Sequence, residues 1–526
     1  MTQLPPQPVL RAPALSGYPP HAPQILAHDS IGTLPAAVRR PAFDPALLRP
    51  GILHLGCGAF HRAHQAFLTQ RAVEAELAAR RRGAAAVPPP WGIVGASLFN
   101  SSAVRALARQ DGFYTILERG PGARIRAEVI GALRHHVFVP EAAGGLRAYF
   151  DDPAIRLVTL TITAAGYCLD QATGQLDPQH PLIQADLCEG ARHSAIAQLV
   201  DGLARRRGRA LTPPVILSCD NIPHNGRVLR QACIDFATMT DASLATWIAE
   251  HVQFPCSMVD RIVPATTDVD RADAAALLGV ADAVPVCAEP FSQWVIENFD
   301  GARPRWEAAG AEFVADVSPW EASKLRLLNG GHLAIACLGL LAGEQTVAGA
   351  LADRDMARFA LRFMLEEQMP TLPRSNHDIR AYAHQLLERW RNPGIVHRLD
   401  RVARDASSKL PGRLIESLYD NLAASRPAPC TILAIAAWMR CATGRGFDGR
   451  PIEIEDSRLP ETEHLGRVAG DSCERLVDAF LTMPGMFDNG LRHHAGVREA
   501  LRRAMEAMQI CGPRGAVKAC LAGAFQ

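Results

Sequence analysis

The sequence predicts an α/β fold: an N-terminal domain built on a parallel sheet, followed by a mainly α-helical C-terminal domain. Three observations predict it. Short apolar runs alternate with helical stretches through the first half. From about Ser318 the apolar spacing becomes helical and stays so. A length of 526 residues exceeds one ordinary domain.

Taken in order, residues 1–48 are rich in proline and alanine and read as a flexible or surface-hugging extension. Residues 51–55, Gly-Ile-Leu-His-Leu, form a first strand leading into Gly56-Cys57-Gly58. A helical stretch covers about 62–82 and ends in arginines before a Gly/Pro loop. Residues 91–98, 156–163 and 214–219 read as further strands, so crossover helices should cover a parallel sheet. Helical patterns then occupy 321–341, 356–367, 376–391 and 497–510. The expected organisation is an extension at 1–48, a sheet domain at 49–290 and a helical domain at 291–526, the boundary falling near 285–315. No internal repeat is visible.

Composition narrows the function. Apolar residues make up 48% and charged residues 21%, ample for a packed core. Lys+Arg numbers 55 against Asp+Glu at 54, leaving no basic surplus to hold phosphate backbones, so nucleic acid is not an expected partner. The apolar stretches at 333–341 and 431–439 are too short to span a bilayer, and no basic segment precedes an apolar one at the N-terminus. Thirteen cysteines occur without a Cys-x-x-Cys pair. That argues against a zinc site or a disulfide scaffold and for reduced thiols, hence a cytoplasmic enzyme with no metal and no membrane partner. A monomer or small homo-oligomer is expected.

Only three lysines occur, Lys324, Lys409 and Lys518; the other 52 basic residues are arginine. Arginine stays protonated, whereas a desolvated lysine can lose its proton. Positions that keep lysine are therefore enriched for proton transfer or for a compact ammonium. Lys518, near the C-terminus, reads as chance retention.

Gly56-x-Gly58 after a strand and before a helix is where a dinucleotide-binding turn should lie. The first glycine permits a tight turn and the second admits a pyrophosphate at the helix start. His61 occupies the third glycine position, so this motif alone leaves a plain strand–helix turn as an equal reading. After the second strand comes Leu98-Phe99-Asn100-Ser101-Ser102, with no carboxylate for an adenosine ribose. Asn100 can bond a ribose hydroxyl, while Arg105 nearby leaves NADP open beside NAD.

Four polar clusters stand in apolar surroundings: residues 218–225, 258–261, 324–332, and Arg401 with Ser407-Ser408-Lys409. The first follows a strand, at the sheet end where open α/β folds bind ligands. The third places Lys324, Asn329 and His332 on an otherwise apolar helix, a costly arrangement unless these groups are paired or used. Each has a bland reading: a salt-bridged lysine, a helix cap before Gly330-Gly331, a satisfied core imidazole. Their coincidence favours a site. On an ideal helix Lys324 and His332 differ by about 80° and Lys324 and Asn329 by about 140°. Convergence then requires the glycine pair to end or bend the helix. Arg326, about 200° from Lys324, should serve a surface or interdomain ion pair.

These residues resemble the polyol-specific long-chain dehydrogenases, the group of mannitol 2-dehydrogenase and fructuronate reductase. The resemblance rests on residues 54–65, His-Leu-Gly-Cys-Gly-Ala-Phe-His-Arg-Ala-His-Gln, with blocks at 160–168, 218–226, 254–264, 289–294, 324–332 and 408–411, in family order. His61 at the third position is itself a feature of that family. The resemblance implies a Rossmann-type domain holding NAD through Gly56, Gly58, Ala59, Phe60, Asn100, Thr161 and Asp260, with Asp260 at the cofactor–substrate junction. It implies Lys324 as general acid/base, Asn221 and Asn329 as hydrogen-bond donors to the reacting oxygen, and His332 as a positioning group. Arg401 and Lys409 match substrate contacts, and Glu321 matches a proton-relay carboxylate. Such roles suit alcohol oxidation, since a lysine desolvated beside a cation becomes a base near neutrality and two amides form a preorganised oxyanion site.

The family divides between sugar acids and neutral polyols. The blocks near Gly56, Thr161, Phe254 and Lys324 are similar to fructuronate reductase, which interconverts D-fructuronate and D-mannonate. Arg401, Ser407-Ser408-Lys409 and His224-Asn225 are similar to mannitol 2-dehydrogenase. Fructuronate reduction is the first expectation, mannitol or a related polyol the second. A hexuronate carboxylate favours a planar arginine, but among 52 arginines the sequence does not single one out. A catalytically silent dinucleotide-binding regulator is the contrasting class; it has no need of an acid/base lysine.

Overall fold

A computed structural model describes residues 10–11, 24–80, 89–122, 124–170, 173–190, 192–374 and 377–525. The chain divides into two units, Met1–Ser318 and Pro319–Gln526.

The first unit is built on five parallel strands: β1 (Pro50–Leu55), β2 (Gly92–Ser97), β3 (Leu133–Phe138), β4 (Leu157–Leu160) and β5 (Val215–Ser218), in the spatial order β3-β2-β1-β4-β5. The strands other than β3 are largely apolar because both faces are covered. Ile52, Ile93, Leu157 and Leu217 enter one core, while Leu53, Val94, Val158 and Ile216 enter the other, as the two-residue pleat requires. Helix Gln65–Arg80 packs on the first face; helices Ala195–Gly208 and Asn225–Thr240 pack on the second.

Two smaller sheets complete the unit. Strands Tyr114–Gly120 and Arg124–Ile130 pair antiparallel, flanked by Leu10–Arg11 and Val286–Ala288. The other sheet joins Ser257–Asp260, Gln293–Glu297 and Glu312–Val314. This last pairing moves the boundary: the sequence places it at 290/291, whereas 291–318 belongs with the first unit because Gln293–Glu297 pairs with Ser257–Asp260 and Glu312–Val314 pairs in turn with Gln293–Glu297. Of the 1–48 extension, residues 1–9 and 12–23 lie outside the described residues. Residues 24–48 are packed: Leu26, Leu34 and Val38 are buried with Phe113, Leu117 and Leu277 in a separate core.

The second unit is helical. Helix Pro429–Cys441 is buried along almost its whole length and lies with Gly331–Leu341 and Ala495–Leu521 in one core. The two longest apolar stretches of the sequence are thus the centre of this core, and among the described residues no helix is long and apolar enough to cross a membrane. The expected helix at 376–391 runs Ile379–Trp390, capped by the Asp378 carboxylate on Ala381 N–H at 2.9 Å; position 376 lies outside the described residues. The one expected at 497–510 extends over Ala495–Leu521 with a kink at Gly512, φ 71°, just before Pro513.

Candidate active site

The strand-end turn comes first. Gly56 has φ +97°, and a β-carbon there would stand 2.0 Å from the Thr161 carbonyl oxygen. Only glycine lets β1 end so close to the chain leaving β4. The Gly56 carbonyl accepts from Gly58 N–H at 2.7 Å, Thr161 Oγ1–H at 2.6 Å and His54 Nε2–H at 3.1 Å. His54 Nδ1 then accepts from Thr159 Oγ1–H at 2.7 Å, which fixes the neutral tautomer. Complete burial lowers His54 to about 3. A β-carbon at Gly58 would meet nothing nearer than 3.9 Å, so the face over Gly58 is open where helix Ala59–Ala63, carrying Ala59 and Phe60, begins. His61 stacks on His54 with ring centroids 3.4 Å apart, and among the described residues neither of its ring nitrogens meets a hydrogen-bond partner. The helix expected from 62 starts at Ala59 and is interrupted at His64.

Beyond β2, the Asn100 carboxamide oxygen accepts from Ser102 N–H at 2.8 Å at the start of helix Ser102–Arg109, leaving its amide nitrogen as the donor end. Arg105 is ion-paired with Glu141, both side chains more than half exposed.

The ends of β4 and β5 are joined by a residue to which sequence reasoning gave no role. The buried Asp220 carboxylate accepts from Thr163 N–H at 2.7 Å, Ile162 N–H at 3.2 Å and Tyr167 Oη–H at 2.9 Å. It thereby holds Thr163 at φ 63°, ψ 165°, a region almost reserved for glycine. Burial raises the Asp220 pKa, against the pull of those donors. Asn221 follows directly and is exposed, in a turn that ends with His224 at φ 52°. The buried Asn225 donates to the Asp220 and Ser257 carbonyls at 2.9 and 2.8 Å and accepts from Ser257 N–H at 3.0 Å. That ties β5 to strand Ser257–Asp260, whose last residue is the buried Asp260. Asn225 is thus committed to scaffolding.

In the second unit, the helix carrying Lys324 neither ends nor bends at the glycine pair. Ser318–Ser323 continues as a π-helical segment, Lys324–Gly330, and then as α-helix Gly331–Leu341, with Gly330 and Gly331 both right-handed. A π turn closes over five residues, so Asn329 takes the place relative to Lys324 that i+4 holds in an α-helix. The 140° separation expected of ideal geometry is removed by this turn. The glycines serve packing instead: β-carbons at 330 and 331 would stand 2.9 Å from the Arg413 carbonyl oxygen and 2.7 Å from the Trp390 ring. Lys324 and Glu321 are half-buried on this helix, three residues apart.

His332 is 5% exposed, tilted against Trp390 at 4.7 Å and edge-on to His397 at 4.6 Å. Burial, and then the His397 and Arg389 charges, keep it well below the ordinary histidine range and so neutral. Its Nε2 meets no hydrogen-bond partner among the described residues. Arg413, on a second π segment, Pro411–Ile415, donates from Nη1 to the Asn329 carbonyl at 3.4 Å.

The two proposed substrate contacts differ in setting. Lys409 is half-buried, its Nζ donating to the Arg404 carbonyl, and burial followed by the Arg413 charge lowers its pKa. Arg401 is 62% exposed and pairs with Glu455 at 3.7 Å. Arg326 pairs with Asp420 at 2.7 Å and donates to the Thr371 carbonyl at 2.6 Å, both within its own unit.

Comparison with known proteins agrees with both units. Residues 50–308 match the model of the mannitol dehydrogenase Rossmann domain, and residues 316–509 that of the mannitol dehydrogenase C-terminal domain. The chain is 38% identical over 493 residues to the D-mannonate oxidoreductase of Escherichia coli (strain K12), covering 92% of this chain and 98% of that one. It is 39% identical over 441 residues to the mannitol 2-dehydrogenase of Cereibacter sphaeroides, 83% of this chain and 90% of that one. Among solved structures, the Pseudomonas fluorescens mannitol 2-dehydrogenase ternary complex with NAD and D-mannitol is similar with a TM-score of 0.80 and 32% identity, over 95% of this chain and 100% of that one. The Rossmann-type order of five parallel strands, the Gly56 turn and these matches over nearly the whole chain make this protein a member of the mannitol dehydrogenase family of oxidoreductases, enzymes acting on CH–OH groups.

Proposed function

We propose that this chain is an NAD-dependent reductase of a hexuronate ketone, converting D-fructuronate and NADH, with a proton, to D-mannonate and NAD, and the reverse. The observation that carries the chemistry is the π turn that aligns Lys324 with Asn329, followed three residues on by the buried His332 with its unpartnered Nε2. The hexuronate is supported by the sequence blocks similar to fructuronate reductase and by the D-mannonate oxidoreductase relative that the chain matches over almost its full length.

The first unit fits the dinucleotide. Gly56 admits the tight turn, and the open face over Gly58, Ala59 and Phe60 leaves backbone room for a pyrophosphate. Thr161 and Asp260 stand at the ends of their strands to meet the nicotinamide side, and the donor end of Asn100 suits a ribose hydroxyl. When bound, the nicotinamide supplies or accepts the hydride.

The protein's own part is binding and proton transfer. In the reducing direction Lys324 gives a proton to the carbonyl oxygen as that oxygen becomes an alcohol; in the oxidising direction its amine takes the proton back. The side-chain amides of Asn221 and Asn329 donate to the same oxygen, where negative charge develops. Neutral His332 orients the substrate, Glu321 relays the proton outward, and Lys409 and Arg401 meet substrate hydroxyls. None of these steps calls for a metal.

A substrate panel tests the reading: D-fructuronate, D-fructose, D-mannonate and D-mannitol, each with the matching NAD or NADP form, followed by cofactor absorbance. Preferential turnover of the sugar acids with NAD is expected. Preference for fructose or mannitol would replace the hexuronate by a neutral polyol; no turnover of any would remove both substrate readings.

A further inference from the structure

We propose that Arg413 recognises the substrate carboxylate and is the residue that sets a preference for sugar acids over neutral sugars. This inference rests on the hexuronate reading above and adds the group that would enforce it.

The argument starts from charge bookkeeping. Among the shielded arginines, Arg62 and Arg206 are each held by two or more backbone carbonyls, while Arg261, Arg119 and Arg71 have acidic partners, Glu118, Asp270 with Asp273, and Glu128. Arg413 has none; among the described residues no carboxylate forms an ion pair with it. Burial alone pulls its pKa down to about 10, with no acid nearby to raise it again. A desolvated, uncompensated charge is expensive, and burial of one is tolerated where a ligand supplies the counter-charge.

Position says which ligand. Arg413 Nη1 reaches the backbone carbonyl of Asn329, on the turn that carries Lys324. Its charge acts on His332 and on Lys409, so it lies among the residues to which the reaction is assigned. The group is thus cationic, with the buried Nε2 of His332 still lacking a partner among the described residues. A polyol hydroxyl does not offset such a charge. A carboxylate does, and the planar guanidinium fork matches it in two parallel hydrogen bonds. Arg326 is engaged elsewhere, with Asp420, and Arg401, exposed and paired with Glu455, is the one assigned to hydroxyls.

The test compares the wild-type protein with Arg413→Met and Arg413→Lys on D-fructuronate and on D-fructose, reading kcat and KM separately and recording Tm. For Arg413→Met, kcat/KM on fructuronate should fall about a hundredfold, mostly through KM, while that on fructose stays within about threefold. Arg413→Lys, which keeps the charge but not the fork, should lie between. The Tm of Arg413→Met should hold or rise, because removing an unpaired buried charge relieves a cost. Wild-type preference for fructuronate that survives in both variants overturns the role of Arg413 and leaves the hexuronate reading standing. A parallel loss on both substrates with a lowered Tm makes Arg413 structural and likewise overturns it. Wild-type preference for fructose removes the hexuronate reading itself, and this role with it.

Discussion

Lys324 and Asn329 stand one turn apart on the same side of their helix because the turn between them closes over five residues instead of four. The amine proposed to transfer the proton and the amide proposed to donate beside it are thereby held on rigid backbone, which is where precise geometry is best kept. Lys324→Ala should lower kcat by about 10²–10⁴-fold while the dissociation constant for NADH changes little. Stopped-flow hydride transfer and cofactor fluorescence titration separate the two quantities. A variant that retains near wild-type hydride transfer would reject the role.

Asp220 is expected to act through its neighbours. Its carboxylate holds the strained Thr163 and so ties the end of β4 to the residue directly before Asn221. Asp220→Ala leaves two backbone N–H groups and the Tyr167 hydroxyl without their acceptor, a loss of about 2–3 kcal/mol in stability. Released, Thr163 should leave its strained conformation, so kcat should fall by more than tenfold at saturating substrate. Asp220→Asn, which keeps one acceptor, should recover part of both. Full activity in Asp220→Ala would show that the strap has no bearing on catalysis.

What the sequence made legible follows physical lines. β1, β2, β4 and β5 are largely apolar runs, so burial on both faces wrote them plainly. β3, Leu-Arg-His-His-Val-Phe, was hidden because it lies at the sheet edge, where polar side chains are tolerated. Lys324 stood out because lysine is so rare here, whereas Arg413 was lost among 52 arginines until its desolvation, with no acid and only the Asn329 carbonyl as hydrogen-bond partner among the described residues, singled it out. The π turn has no compositional mark. Gly330-Gly331 suggested a break and proved to admit the Arg413 backbone and the Trp390 ring.

Cofactor choice should respond to Glu141. The first cation after β2 in the sequence, Arg105, is ion-paired with Glu141 and so is not free for a 2′-phosphate. Both side chains are over half exposed, which limits the pair to about 1 kcal/mol or less. Glu141→Gln should therefore raise kcat/KM for NADPH relative to NADH by up to about fivefold at low ionic strength, the gain fading with salt. An unchanged ratio would mean that Arg105 does not face the ribose.

His54 links the dinucleotide turn to acid stability. Its pKa is about 3 in the folded protein against 6.5 ordinarily, so only the unfolded chain takes up this proton between those values. The stability it contributes is complete above pH 6.5 and is lost as pH falls toward 3, by about 1.4 kcal/mol per pH unit. His136 and His397, both lowered to about 4 by burial, act with the same sign. Glu128, raised by burial to about 8, acts with the opposite sign between about pH 4.5 and 8, so where the two windows overlap the raw slope of Tm against pH mixes them. His54→Asn isolates the histidine, since asparagine can still donate to Gly56 and accept from Thr159. Between pH 6.5 and 5 the wild type should lose about 2 kcal/mol more than the variant in urea unfolding. Parallel pH profiles for the two proteins would place the proton uptake elsewhere and leave His54 titrating in the folded state as it does in water.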